Sequence, residues 1–360
     1  MTCIVRAVRG AQALDALRVD WEALLDEVPD ATVSDTWIAV RGAWRMSQDV
    51  IAPLVVTVRD DTARLVGIMP LGLTTKRQGP FSVPVLRIIA PRRLDTPGLL
   101  IHPGRTREVI SVVGAWFAEQ VRRGTMLDLR PIPETNPLAL ALSGQDGRFH
   151  ATPMGGGRVT PLPSAPGTWE AVIRDGRARR EVARCRRRIN EELGATPISA
   201  GDPDALRVFA AAFAALHSAE QSRRGRHGAL ASEAARRWFP DFLVDLHDAG
   251  MLDTAALWHG DRMIAGYIAT RFRGTCAGYR TAYDAEYRSR GPGTVLLAAM
   301  LDRAIARGDR VWDFGLGDEE YKNRWAERSA GFVWLTAAPR TPRYLLYRAW
   351  ERAFGSKQAR

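Results

Sequence analysis

Apolar residues recur along this chain at two spacings, which predict a fold of both helices and strands. Steps of three and four place apolar side chains on one helix face, and they occur at 11–28, 35–46, 107–122, 169–193, 206–216, 232–249, 294–307 and 343–354. Short apolar runs bounded by turn residues predict strands at 54–59, 64–74, 85–90, 126–130, 254–258, 263–272, 275–283, 311–314 and 332–337.

The boundaries between these elements follow from polar and helix-breaking residues. Segment 218–227 is predicted to be a polar connection that leaves His217 at the end of a helix, and Pro240 is predicted to interrupt the next helix. A polar turn within 315–325 is predicted to open one more helix. Segment 154–167 is rich in glycine and proline and is the best linker candidate.

The length of 360 residues exceeds the usual size of one domain and predicts two. We expect a first domain at 1–165, a second at 166–338, and a C-terminal helix with a basic tail at 339–360. That last helix is expected to dock on the protein, with contact to a membrane surface as the alternative.

Composition excludes several classes of protein. The chain is 46% apolar and 25% charged, an ordinary balance for a soluble globular protein. Three scattered cysteines are too few for a disulfide framework or a zinc site, which indicates a reducing compartment and no metal. No apolar stretch reaches 18 residues, so neither a signal peptide nor a membrane span is expected, and the predicted location is cytoplasmic.

The net charge of +11 is compatible with nucleic acid, an anionic membrane surface or acidic small molecules as partners. Part of it lies on the helix at 169–193. An apolar stripe there is formed by Val182, Cys185, Ile189 and Leu193, and arginines occupy other sides at 179, 180, 184, 187 and 188. These arginines either form a solvated face or bind phosphate groups on coenzyme A or RNA.

Two motifs in the second half indicate chemistry. Arg288, Gly291 and Gly293 have the spacing R-x-x-G-x-G directly before a helix, where backbone N–H groups and the helix dipole favour an anion. Arg290 adds charge, so a pyrophosphate-bearing molecule is the natural occupant, although such glycines often only turn the chain. The second motif, at 313–325, reads D-F-G-x-G-D-x-x-Y-K-x-x-W and follows a predicted strand.

These motifs resemble the GNAT acyltransferase superfamily, in particular its CelD-like branch, which is named after cellulose-biosynthesis clusters and distantly related to the FemABX ligases. The resemblance covers 166–338 well and 1–165 only in the order of elements. It implies an α/β fold of two tandem GNAT-like domains, each a mixed, mostly antiparallel sheet flanked by helices. The first domain lacks the glycine motif, since 93–101 holds only Pro97 and Gly98, and is expected to be a degenerate copy that shapes an acceptor cleft.

The resemblance implies direct transfer of an acyl group from acetyl-CoA, or another acyl-CoA, to an amine of a small-molecule or saccharide-type acceptor. The residues expected to bind the donor are Tyr283, Arg288, Arg290, Gly291, Gly293, Thr294 and Lys322. Those expected in catalysis are Tyr321 as the acid that protonates the departing thiolate, Asp318 as a base, and His217.

Each of these roles has a structural alternative. Tyr321 and Trp325 are spaced to pack together, Asp313 and Asp318 are suited to capping turns, and a histidine at a helix end is often structural. The donor is alternatively an aminoacyl-tRNA, as in FemABX enzymes, or the protein is a non-catalytic subunit of a polysaccharide or natural-product pathway. The acceptor and the oligomeric state are not encoded in a recognisable motif.

Overall fold

The computed structural model describes residues 3–89, 98–143, 148–173, 175–226, 228–317 and 319–354. In chain order, the elements up to residue 161 are β1 Ile4–Arg9, α1 Ala11–Ala16, α2 Arg18–Asp26, α3 Trp37–Arg45, β2 Ala52–Arg59, β3 Leu65–Gln78, β4 Phe81–Ile88, β5 Leu100–Ile101, α4 Thr106–Arg122, β6 Met126–Pro133, α5 Pro137–Ser143 and β7 Phe149–Pro161. The rest comprise α6 Trp169–Val172, α7 Gly176–Leu193, α8 Pro203–Arg223, α9 Glu233–Asp248, β8 Leu252–His259, β9 Arg262–Phe272, β10 Thr275–Tyr283, α10 Pro292–Ala306, β11 Val311–Leu316, β12 Glu327–Ala337 and α11 Pro342–Phe354.

The chain divides into two compact units. The first contains the described residues up to 155 and those from 330 onward, and the second contains 156–329. This division into compact units assigns the C-terminal strand and helix to the first unit. The domain limits expected at 165 and 338 stay a prediction.

The first unit is a mixed sheet with the strand order β1, β2, β3, β4, β6, β12. Neighbouring strands are antiparallel except for β4 and β6, which are joined through helix α4. The buried stripe of α4, formed by Val109, Val113 and Phe117, packs on this sheet because residues four apart lie on one helix face. On α11, Tyr344 and Tyr347 pack with Val83 of β4.

The second unit repeats this pattern with the strand order β8, β9, β10, β11, β7. Among the strands described in this unit, the parallel pair is β10 and β11, which are joined through α10. Successive residues of β9 point to opposite faces, so Tyr267 lies in the core with α7 and α10, whereas Gly266 lies against Phe213 of α8. The expectation of two α/β units with mixed, mostly antiparallel sheets is confirmed.

The predicted linker is wrong over most of its length. Residues 154–161 form the second part of β7, which pairs with β11 from Pro161 opposite Val311 to Gly157 opposite Leu316. Glycine and proline are poor strand formers, and the pairing partner lies far away in sequence, so local composition did not indicate a strand.

Three other local predictions differ from the structure. Helix α8 continues to Arg223, so His217 lies inside a helix and the polar connection begins later than expected. Helix α9 runs through Pro240 without interruption. A helix is expected within 315–325, but the residues described there form a 3₁₀ turn at Lys322–Arg324. No described helix is long and apolar enough to cross a bilayer.

Candidate active site

The loop between β10 and α10 is shaped by Gly291. Its φ of 66° lies in the left-handed region, where a side chain is strained, and it ends a 3₁₀ turn at Ala285–Arg290 and precedes α10. A Cβ at this position would also lie 2.7 Å from Cys185 Sγ on α7. Glycine is therefore required here by backbone conformation and by the approach of α7.

The first turn of α10 offers fewer free donors than the motif predicts. Pro292 has no N–H, and the N–H groups of Thr294 and Val295 donate to the Gly291 carbonyl at 3.1 and 3.2 Å. Among the described residues, this leaves the Gly293 N–H as the unused donor of the first turn. The space beside Gly293 is open, since a Cβ there would meet nothing closer than Tyr283 Cδ1 at 3.9 Å.

The two loop arginines are in different situations. Arg290 Nε donates to Glu192 Oε2 at 2.8 Å, and this contact lowers the pKa of the Glu192 carboxyl. The Arg288 side chain is exposed and makes no ion pair within the part of the chain that the structure describes. Arg288 is therefore the loop cation that is available to a ligand.

The strands β10 and β11 diverge below this loop. They pair only at Thr275 with Val311, Cys276 with Trp312 and Ala277 with Asp313, although β10 continues to Tyr283. The register of β10 against β9 also shifts between Gly278 and Arg280. Beyond Ala277, β10 no longer pairs with β11 along their shared edge. A gap therefore opens between these two parallel strands.

A buried tyrosine lies at this gap. A Cβ at Gly278 would come within 2.7 Å of the Tyr267 hydroxyl. Burial raises the pKa of Tyr267 well above its usual value, and Tyr321 and Cys276 raise it further, so its hydroxyl stays protonated. No sequence pattern indicates a role for Tyr267, because it lies in an apolar strand like a core residue.

The predicted acid, Tyr321, lies near this group. Its side chain is 43% exposed, and it precedes the 3₁₀ turn rather than lying on a helix. Tyr321 is close enough to Tyr267 to add to the rise in its pKa that burial causes. Trp325 packs with Trp169, with ring centroids 6.2 Å apart, and its packing with Tyr321 stays a prediction.

Lys322 and Asp313 hold the loop after β11 in place. Lys322 is buried, and its ammonium group contacts the carbonyls of Leu316 at 2.9 Å and Gly315 at 3.4 Å and the Glu319 carboxylate at 2.8 Å. Asp313 Oδ1 accepts from the Gly315 N–H at 2.6 Å, in agreement with the turn-capping interpretation. The donor contact of Lys322 stays a prediction, and Asp318 lies outside the described residues.

His217 is a buried residue of α8. Its ring stacks on Phe213 with centroids 6.1 Å apart, and a Cβ at Gly228 would lie 3.1 Å from its Cε1 atom. These contacts are typical of a packed histidine. Its catalytic role stays a prediction.

A cavity of about 410 Å³ lies beside α8. Its lining includes Leu216 but not the neighbouring His217. It is lined by Ala212, Ala215, Leu216, Ala219, Glu220 and Arg223 of α8 and by Arg262, Met263, Tyr283, Asp284 and Ala285. Tyr283 thus borders both this cavity and the open space at Gly293. The cavity and the loop are neighbours within the second unit.

Glu220 gives this cavity a buried negative charge. Its side chain is 5% exposed and forms an ion pair with Arg224. Asp284 at the rim is likewise paired, with Arg262. The sequence does not indicate Glu220 as a site residue, because segment 218–227 is predicted to be a polar connection rather than part of α8.

These features occur within a segment of a known family. Residues 176–323 match the family model described as an acetyltransferase (GNAT) domain, so the second unit carries a segment with the pattern of a GNAT domain. The predicted GNAT resemblance is confirmed for this segment, whereas the CelD-like branch stays a prediction. No protein of curated function matches the chain significantly in sequence.

Solved structures share the fold over nearly the whole chain. FemX is similar with a TM-score of 0.59 at 12% identity, over 97% of this chain and 99% of FemX. A tandem GNAT protein from the clavulanic acid biosynthesis pathway gives 0.54 at 16% identity, over 94% and 100%. L-PGS from Bacillus licheniformis gives 0.56 at 11% identity, over 94% and 96%. The likeness establishes the tandem GNAT fold.

Proposed function

We propose that the protein is an N-acyltransferase that uses acyl-CoA as donor and an amine as acceptor. The observation that carries the proposal is the divergence of β10 from β11 directly below the first turn of α10. A gap between parallel strands exposes unpaired backbone groups to an extended, amide-containing chain such as pantetheine. The helix N-terminus above it suits the pyrophosphate.

The residues of the loop fit the phosphates of coenzyme A. Gly293 would offer its N–H and an open approach, and Arg288 would add an exposed cation. Gly291 and Thr294 would act through the backbone that shapes the turn, and Arg290 through its contact with Glu192. Tyr283 would line the path from the phosphates into the gap.

In the proposed reaction, the acceptor nitrogen attacks the thioester carbonyl carbon. The C–N bond forms, the C–S bond breaks, the nitrogen loses a proton and the thiolate gains one. Backbone N–H groups of β10 in the gap would stabilise the negative charge on the carbonyl oxygen. Tyr321 would donate the proton to the thiolate, and the neutral Tyr267 hydroxyl would donate a hydrogen bond to the same region.

The cavity beside α8 is our candidate for the acceptor site. A buried carboxylate attracts an ammonium group, so Glu220 would hold the acceptor amine before it loses its proton. The three alanines of α8 leave space for a small-molecule or saccharide-type acceptor.

The proposal is tested by calorimetric titration of acetyl-CoA into the wild-type protein and the Gly293→Asp variant. The aspartate adds bulk and negative charge at the phosphate position, so we expect binding to be lost. Gly201→Asp is the matched control, because Gly201 is exposed and a Cβ there meets nothing within 4 Å. Unchanged affinity in Gly293→Asp would remove the coenzyme A assignment.

Aminoacyl-tRNA remains the alternative donor, and one observation favours testing it. The arginines of α7 at 179, 180, 184 and 187 are exposed, as a nucleic-acid surface requires. Binding of tRNA should then fall steeply with salt and vanish in Arg184→Glu/Arg187→Glu. Salt-sensitive tRNA binding without acetyl-CoA binding would replace our proposal. Acetyl-CoA binding without turnover across an amine panel would favour a non-catalytic subunit.

A further inference from the structure

The first unit carries a charged cluster on one face of its sheet. Its members come from four adjacent strands: Lys76 on β3, Arg87 on β4, Asp128 and Arg130 on β6, and Trp334 on β12. Strand register explains their proximity, because Arg87 is directly opposite Asp128, and Asp128 is opposite Thr336. The cluster is built by the fold and includes no residue of the proposed active site.

The centre of the cluster is the buried carboxylate of Asp128, whose side chain is 3% exposed. Its Oδ1 atom accepts a hydrogen bond from Trp334 Nε1 at 2.9 Å and forms an ion pair with Arg130 Nε at 3.0 Å. Its Oδ2 atom accepts from Arg87 Nη2 at 3.0 Å and lies 3.8 Å from Lys76 Nζ. Each oxygen of this carboxylate therefore accepts one hydrogen bond and also contacts one further cation.

The cations exceed what one carboxylate can satisfy. Lys76, Arg87 and Arg130 are 36%, 35% and 41% exposed and together carry two positive charges in excess of Asp128. Each guanidinium has five N–H donors, so most donors of both arginines remain after the hydrogen bond from Arg87 and the ion pair of Arg130 with Asp128. The buried Arg87 Nε has no hydrogen-bond partner within the described chain.

The geometry of these donors is fixed. Arg130 lies 4.1 Å above the centre of the Trp334 ring, and Asp128 fixes that ring through its indole N–H. Arg87 is held by the same carboxylate from the neighbouring strand. Two guanidinium groups held on one rigid carboxylate form a site with little flexibility to lose on binding.

We propose that this cluster is a binding site for an oxyanion, namely a phosphate or carboxylate group of an anionic small molecule. Arg87 supplies its free N–H groups, Lys76 adds charge from β3, and Arg130 closes the other side. The site is independent of the proposed transferase activity. The competing interpretation is that the three cations only neutralise Asp128.

The test is calorimetric titration of the full chain with two probes, inorganic pyrophosphate and malonate, at constant ionic strength. The protein carries Gly293→Asp, so that the loop before α10 cannot bind either probe. Saturable binding of pyrophosphate alone identifies a phosphate site, and binding of malonate alone a carboxylate site. Binding of both supports the shared oxyanion chemistry, and binding of neither overturns the proposal.

Variants in this background locate the site. Arg87→Gln should weaken binding about tenfold or more, since charged hydrogen bonds are lost. Lys76→Gln should weaken it less and leaves Asp128 with its two arginines. Arg77→Gln is the matched control, because this substitution removes one positive charge from the opposite face of β3. Equal weakening by Arg77→Gln and Lys76→Gln, or wild-type binding in a folded Arg87→Gln, overturns the assignment.

Discussion

Replacement of Gly291 by alanine tests whether α7 and the loop before α10 pack as the structure shows. Alanine at a φ of 66° costs about 1–2 kcal/mol relative to glycine. Its Cβ would also lie 2.7 Å from Cys185 Sγ, and such overpacking costs about 1–3 kcal/mol. We therefore expect Gly291→Ala to lower the free energy of unfolding by roughly 2–5 kcal/mol, the combined range of these two effects.

The two contributions can be separated with Cys185→Ala. Without the sulfur atom, the nearest atom to a Cβ at position 291 is the Cβ of residue 185 at 3.4 Å, an ordinary contact. In a double-mutant cycle, the double variant should therefore lose less stability than the sum of the two single variants. The difference, which is the coupling energy, should be about 1–3 kcal/mol, the cost of the clash alone. The backbone cost should remain in the double variant.

The assay is urea unfolding of the four proteins of this cycle, with midpoints compared at constant slope. Gly293→Ala serves as the control, since Gly293 has no positive φ and ample space, and its stability should be unchanged or raised by up to about 1 kcal/mol. A loss below about 0.5 kcal/mol in Gly291→Ala, typical of surface substitutions, would refute the packing. So would an absence of coupling to Cys185→Ala.

Three further predictions concern the second unit. Tyr321→Phe should lower kcat by roughly 10²–10⁴ in acetyl-CoA turnover with a primary amine, at unchanged donor affinity; a fall of only a few-fold would make Tyr321 dispensable as the acid. Glu220→Gln should raise KM for the amine about tenfold, because a charged contact is lost, without changing acetyl-CoA affinity; an unchanged KM would separate the cavity from acceptor binding. Burial raises the pKa of Cys276 from 9.0 to about 12, so the folded state retains a proton that the unfolded state loses above pH 9. Stability should consequently fall between pH 9 and 12, by up to about 1.4 kcal/mol per pH unit, and less steeply in Cys276→Ala. Equal slopes in urea unfolding of the two proteins would contradict this assignment.

Local periodicity was sufficient to predict the two elements that flank the phosphate loop and the buried face of α7. Helix α10 and strand β10 carry continuous apolar patterns, and the stripe of Val182, Cys185 and Ile189 on α7 is buried as expected. The glycine spacing at 291 and 293 located the loop. These signals are local because a helix face or an apolar strand is specified by neighbouring residues.

Features that depend on distant pairing were not predictable in this way. The gap beside β10 results from where its ladder with β11 stops, and no residue in either strand encodes that point. Tyr267 and Glu220 become notable only through what the fold places beside them. The same is true of Asp128, whose partners come from segments up to 206 residues away.

The position of β12 also has a consequence for the order in which the protein can fold during synthesis. Strand β6 is complete once residue 133 has left the ribosome, but its antiparallel neighbour lies near the other end of the chain. Until then, β6 has one open edge with unpaired backbone groups, which is a site for pairing with other chains. The nascent first unit therefore has to wait for translation of the entire second unit. A fragment that stops at residue 165 should for this reason aggregate, even though it contains most of the first hydrophobic core.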